Sequence, residues 1–151
     1  MLNKAIEIAA KARDDKQERS PFIGKSATAA ETVTEANTAK AVGSGSLDVY
    51  STPMMVALME RAACECLSEM LNDRQTSVGT QMLVEHTAAS PIGTEITAKA
   101  TVDAVLGRNV ELTVTASDAS GEIGRGKHTR VIIDEERFMA KVSSRGQEHH
   151  P

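Results

Sequence analysis

The sequence predicts an α+β fold in which one long apolar helix packs against an antiparallel β-sheet. Three observations carry that prediction: the helical spacing of apolar residues in STPMMVALMERAACECL (51–67), a change to strict alternation from residue 78 onward, and turn signals between the alternating segments. A chain of 151 residues has the size of one ordinary domain and can bury a core without disulfide or metal staples. The expected organisation is a helical extension over 1–22, a main domain over 23–145 and a disordered tail over 146–151.

Residues 2–18 carry apolar residues at Leu2, Ala5, Ile6, Ala9, Ala10 and Ala12, the spacing of a short amphipathic helix that Ser20-Pro21 should break. IGKSATAAETVT (23–34) has strand character, and EANTAKAVGSGSLDVY after it is rich in Gly, Ser and Asn and reads as a flexible loop. The long helix is expected over 53–72, with Thr52 as its N-cap, Pro53 at the first helical position and Asn72-Asp73 as its end. Next come VGTQMLVEHTAA (78–89), a turn at Ser90-Pro91-Ile92-Gly93, and TEITAKATVDAVL (94–106), where Ile96, Ala98, Ala100, Val102 and Ala104 share one face. Gly107-Arg108-Asn109 turns into VELTVTASD, Ser120-Gly121 leads to EIGRGKHTRVII, and a short helix is expected at DEERFMAKV. Short connections imply antiparallel pairing of successive strands.

Composition excludes several function classes. With one Tyr, two Phe and no Trp, the core must come from aliphatic residues and Met, and base stacking on aromatic platforms is not available. A net charge of -4 gives no broad attraction for nucleic acid or anionic lipid, although Arg125, Lys127, His128 and Arg130 could supply local basic patches. Cys64 and Cys66, two apart on a helix, diverge too far for a disulfide or a shared metal. The charges at Lys4, Glu7 and Lys11 leave no signal-peptide core, and no apolar run has the length of a membrane span, so the expected location is the cytoplasm. The adjacent His149 and His150 are weak grounds for a metal; neither metal nor cofactor is expected.

Glu60 is the residue that composition does not explain. On a helical wheel Val56, Ala57, Ala63, Cys64 and Leu67 surround it, away from the polar stripe of Arg61, Glu65, Ser68, Glu69 and Asn72. Two readings stand side by side: a partly dehydrated carboxyl fit for general-base or nucleophilic work, and a border glutamate paired with a basic residue. His86 shares a strand face with Met82 and Val84, and gains a catalytic reading only if it reaches a carboxylate such as Glu60. The Thr52 hydroxyl could cap the helix or serve chemistry at its N-terminus. Gly79 could ease a strand start or lend an N–H to a thioester oxygen, and Arg130 could be solvated or pair with a carboxylate or phosphate.

Taken together, TVTEANTAKAVGSGSLDVYSTPMMVALMERAA, SVGTQMLVEHTAASPIG and GEIGRGKHTRVIID resemble the fluoroacetyl-CoA thioesterase-like family of hotdog-fold proteins, from about Ile23 to Lys141. The resemblance implies a hotdog fold, a homodimer with sites at the protomer interface, and an acyl-CoA thioester substrate. It also implies a catalytic set at Thr52, Glu60 and His86, with Gly79 and Arg130 contributing to substrate binding. Where the fluoroacetate-specific enzyme has lid phenylalanines, this chain has GSGSLDVY with Tyr50 as the lone aromatic, so fluoroacetyl selectivity is not implied. A non-catalytic acyl-CoA or small-acyl binding protein is the alternative. Thr52 and Glu60, eight residues apart, would lie about 12 Å apart along a regular helix, so their meeting needs irregular chain near Pro53 or a partner protomer.

Overall fold

The computed structural model describes residues 3–8 and 20–148. Residues 3–8 are helical (α1) and exposed. They are followed by β1 (Ser26–Thr32), α2 (Ala39–Val42), α3 (Thr52–Leu67) with a 3₁₀ turn at Ser68–Met70, β2 (Gln75–His86), β3 (Glu95–Leu106), β4 (Asn109–Asp118), β5 (Gly121–Asp134) and α4 (Glu135–Glu148). The five strands form one antiparallel sheet in the order β1-β3-β4-β5-β2, wrapped around α3. This is the hotdog fold.

The core is aliphatic, as the composition requires. Met55, Leu58, Met59, Ala62, Ala63 and Leu67 of α3 are buried against Ile96, Ala98, Ala100 and Val102 of β3 and Val110, Leu112 and Val114 of β4. Removing each large side chain from water contributes roughly 1.5–3 kcal/mol. The alanines on the β3 face let the sheet approach α3 closely, because a methyl group fills little of the space between them.

Four expectations are corrected. The cap of α3 is Ser51, whose hydroxyl accepts from the Met54 N–H, so Thr52 is already helical and Pro53 sits at the second position. Proline is tolerated there because the first-turn N–H groups have no helical partner. The helix ends at Leu67, short of Asn72. β2 and β3 do not pair with each other: β2 lies against β5 at the far edge, and the connection through Ser90 crosses the start of α3, tied by Tyr50 N–H to Ser90 O at 2.9 Å and Gly93 N–H to Val33 O at 2.8 Å.

The fourth concerns the segment before α3, which is ordered. Asn37 is buried and bonds Thr32 O and the Thr34 N–H, α2 is capped by Thr38 and stopped by Gly43 at φ 79°, and Tyr50 is buried with its hydroxyl donating to Glu31 and Met54 O. Burial, with the Glu31 contact next, pushes the Tyr50 phenol well above its ordinary pKa.

α4 is helical as far as Glu148, into the stretch that the sequence assigns to a tail; residues 149–151, with His149 and His150, lie outside the described residues. Both cysteines are free, Cys64 exposed and Cys66 buried. Among the described residues, no helix is long and apolar enough to cross a membrane and no cluster of His, Cys, Asp and Glu could hold a metal.

Candidate active site

The expected site residues fall into two clusters at different heights along α3. At its start, Thr52 Oγ1 lies 2.8 Å from His86 Nδ1 at the end of β2. Here a cleft of about 260 Å³ is lined by Thr52, His86, Tyr50, Val49, Ala39 and Ala88, among others. Thr52 is exposed, whereas His86 is half-buried and its Nε2 is enclosed with no hydrogen-bond partner. Burial pushes the His86 pKa below its ordinary 6.5, with a backbone interaction at Ala88 acting more weakly in the other direction. At neutral pH the ring is therefore uncharged and offers a lone pair, as a general base must.

Two turns further along α3, the second cluster centres on Arg130, which is only 5% exposed. Its Nε donates to Ser77 Oγ at 2.9 Å and its Nη2 to Ser77 O at 3.0 Å, while Nη1 donates to Glu60 Oε2 at 3.1 Å and to His128 Nε2 at 3.2 Å. Glu60 stands at the border of the buried face, its side chain 42% exposed, with Ala57 and Cys64 beside it open to solvent. Its carboxylate thus has one oxygen held by a buried cation and faces a cleft of about 530 Å³ lined by Ala57, Glu60, Arg61, Cys64, Glu65 and Arg130. Of the two readings open at the outset, pairing with a basic residue is the one the geometry displays, and it leaves the carboxylate accessible.

Gly79 belongs to this second cluster. A β-carbon there would lie 2.8 Å from Glu60 Oε2, 3.1 Å from His128 Cε1 and 3.3 Å from Arg130 Nη1, so the bare backbone gives the carboxylate its place. Gly79 and His86 are seven residues apart, which in a regular strand would put them on opposite faces. The β2–β5 register shifts between Gly79 and Gln81; this bulge brings Gly79 and His86 to the same, helix-facing side.

α3 is continuous from Thr52 to Leu67, which removes irregular chain near Pro53 as a way to join the clusters. Thr52 meets His86 and Glu60 meets Arg130, but Thr52 and Glu60 remain about 12 Å apart along the axis. From the sequence, His128 is placed only in a local basic patch and Ser77 is not singled out. The available signal was a shared face: His128 and Arg130, like Ser77 and Gly79, are two apart on a strand.

Residues 33–136 match the family described as fluoroacetyl-CoA-specific thioesterase. The fluoroacetyl-CoA thioesterase of Streptantibioticus cattleyicolor is 41% identical over 95 residues, which span 63% of this chain and 68% of that one. A threonine-to-serine variant of the fluoroacetyl-CoA thioesterase FlK, solved in complex with acetyl-CoA, is 33% identical with a TM-score of 0.77, covering 82% of this chain and 97% of the other. A hot-dog-like protein from Thermanaerovibrio acidaminovorans is 27% identical with a TM-score of 0.76, covering 87% of this chain and 96% of that one.

Proposed function

The chain belongs to the fluoroacetyl-CoA-specific thioesterase family, and on that premise we propose that it hydrolyses a short or modified acyl-CoA thioester to the free acid and coenzyme A. The observation that carries this reading is the 2.8 Å contact between Thr52 Oγ1 and His86 Nδ1. With Nδ1 unprotonated, the Thr52 hydroxyl donates to it, and His86 takes the proton as that oxygen, or a water it holds, attacks the thioester carbon. The C–S bond then breaks, and the departing sulfur takes the proton from His86 Nδ1 and leaves as the thiol; where Thr52 Oγ1 itself attacked, a water then cleaves the acyl–Thr52 ester, releasing the acid and restoring the hydroxyl. The Gly79 N–H serves the developing oxyanion, and the Glu60 carboxylate handles the proton of the hydrolytic water.

Fluoroacetyl selectivity is not part of the proposal. Tyr50, the one aromatic before Thr52, is anchored in the core by Glu31 and Met54 and so is not free to act as a lid.

The separation of Thr52 from Glu60 and Gly79 supports a homodimer in which each site combines Thr52 and His86 of one protomer with Glu60 of the partner subunit and the partner's Gly79. Mixing two inactive chains, Thr52→Val and Glu60→Gln, would then form heterodimers with one intact site, restoring about a quarter of native turnover for random assortment. No recovery on mixing would place the whole set within one protomer.

The deciding experiment is free-thiol release from a panel of acyl-CoAs, comparing the native chain with Glu60→Gln and Thr52→Val. Release from short acyl-CoAs, reduced about 10²–10⁴-fold in both folded variants, is the expected result. No release by the folded native chain would reject hydrolysis and turn the assignment to a non-catalytic acyl-CoA-binding protein, tested by direct titration.

A further inference from the structure

We propose that His128 is a positioning residue of this site: its Nε2 accepts from Arg130 and thereby fixes the guanidinium that holds the Glu60 carboxylate. The inference rests on the role given to Glu60 above.

His128 is 2% exposed on β5, and its Nδ1 lies 2.8 Å from the carbonyl oxygen of Gln81. A carbonyl only accepts, so Nδ1 carries the proton; a guanidinium only donates, so Nε2 must present its lone pair. The two contacts together define one neutral tautomer. Gln81 is the first paired residue after the β2 bulge, so the bulge fixes the ring, the ring fixes Nη1 of Arg130, and Nη1 meets Glu60 Oε2.

Ser77 holds the opposite side of the guanidinium through Nε and Nη2. Without His128 the second Nη1 proton would be buried beside an empty acceptor position, free to draw the cation away from the carboxylate. The charged groups facing the ring are Arg130 on its own strand and Glu60 from α3. Its cross-strand neighbours Met82 on β2 and Leu112 on β4 do not titrate. Protonation of the ring would remove the acceptor and set a second cation against Arg130, so Glu60 is held only while His128 is neutral.

The test separates the two bonds of the ring. In H128Q the side-chain amide oxygen reaches the Nε2 position and still accepts from Arg130; in H128N the shorter amide keeps the Gln81 contact but has no acceptor near Arg130. H128L, which lacks both bonds, replaces H128N should that variant not fold. Expected for H128N is a loss of about ten- to hundredfold in kcat with KM within about twofold, largely rescued in H128Q. Slowly exchanging Arg130 Nη protons in the nitrogen-15 spectrum should be kept in the native chain and H128Q and lost in H128N.

Equal kcat in H128N and H128Q, or unchanged Arg130 signals in H128N, would overturn the proposal. Absence of thiol release by the native chain would reject the thioesterase reading instead. The Arg130 signals would still report whether His128 holds the cation.

Discussion

The two ends of the candidate site are built on opposite principles. At the start of α3, Thr52 and His86 make one contact with each other and His86 Nε2 is left enclosed without a partner. Around Arg130, Ser77, Glu60 and His128 engage three nitrogens of a buried guanidinium through four hydrogen bonds. A group with unused bonding capacity can still engage a substrate atom, as the Nε2–H of His86 can while Nδ1 takes the Thr52 proton; a group whose bonds are made can only hold something else in place. On the proposed reading the contrast gives chemistry to Thr52 and His86 and scaffolding to Ser77, Arg130 and His128. Glu60 lies between, held at one oxygen and open at the other.

The largest effect should come from the sparse end. His86→Gln removes the base and leaves the fold intact, since the ring is half-buried and makes a single side-chain bond. Thiol release should fall about 10²–10⁴-fold with thermal midpoint nearly unchanged. A retained rate would move the base elsewhere and erase the contrast.

Arg130→Met should show the reverse balance. It strips the cation from Glu60 and leaves Ser77 O and His128 Nε2 without their donors. Stability should drop by about 1–3 kcal/mol in denaturant titration, with a further loss of turnover. A variant as stable as the native chain would mean that the network is not structural support.

Much of this molecule is legible in the residues. α3 and β3 announce themselves through periods of 3.6 and 2, and their buried faces are the apolar ones. What could not be read depends on partners distant in sequence. The cap is a local exception, assigned one residue too late: Ser51 and Thr52 both precede Pro53 with a suitable hydroxyl, and the Met54 contact falls to Ser51. The segment before α3 looked like flexible chain because much of its order comes from Tyr50, whose partners Glu31 and Ser90 lie 19 residues before it and beyond the whole of α3 and β2 after it. His128 shares a strand face with Arg130, but its tautomer is set by Gln81, 47 residues away, and that partner left no signal in the sequence. The bulge in β2 leaves no mark in composition, yet it decides which face Gly79 and His86 share.

Gly79→Ala probes the boundary between the clusters. The added methyl would stand 2.8 Å from Glu60 Oε2 and 3.1 Å from the His128 ring, and the carboxylate is the freer of the two. Glu60 should swing off Arg130, lowering kcat about tenfold with a smaller stability loss than Arg130→Met. A methyl accommodated without any change in turnover would show that the placement of Glu60 does not limit the reaction.

The smallest effect expected is a pH dependence shared by both ends. Burial comes first among the causes that depress the pKa of His86 and of His128; for His128 the Gln81 hydrogen bond opposes it, and the charges of Arg130 and Glu60 pull in opposite directions. In each case the folded protein favours the neutral ring. That preference contributes its full stability above the unfolded value of about 6.5, and the contribution is lost as pH falls below 6.5 through the lower native pKa. The unfolded chain then takes up protons that the native rings refuse. The difference in thermal midpoint between pH 7.5 and pH 5.5 should therefore be smaller in His86→Gln and in H128Q than in the native chain. Because His128 is 2% exposed and His86 only half-buried, the larger reduction should belong to H128Q. Equal reductions would mean that the Gln81 bond of His128 offsets its deeper burial.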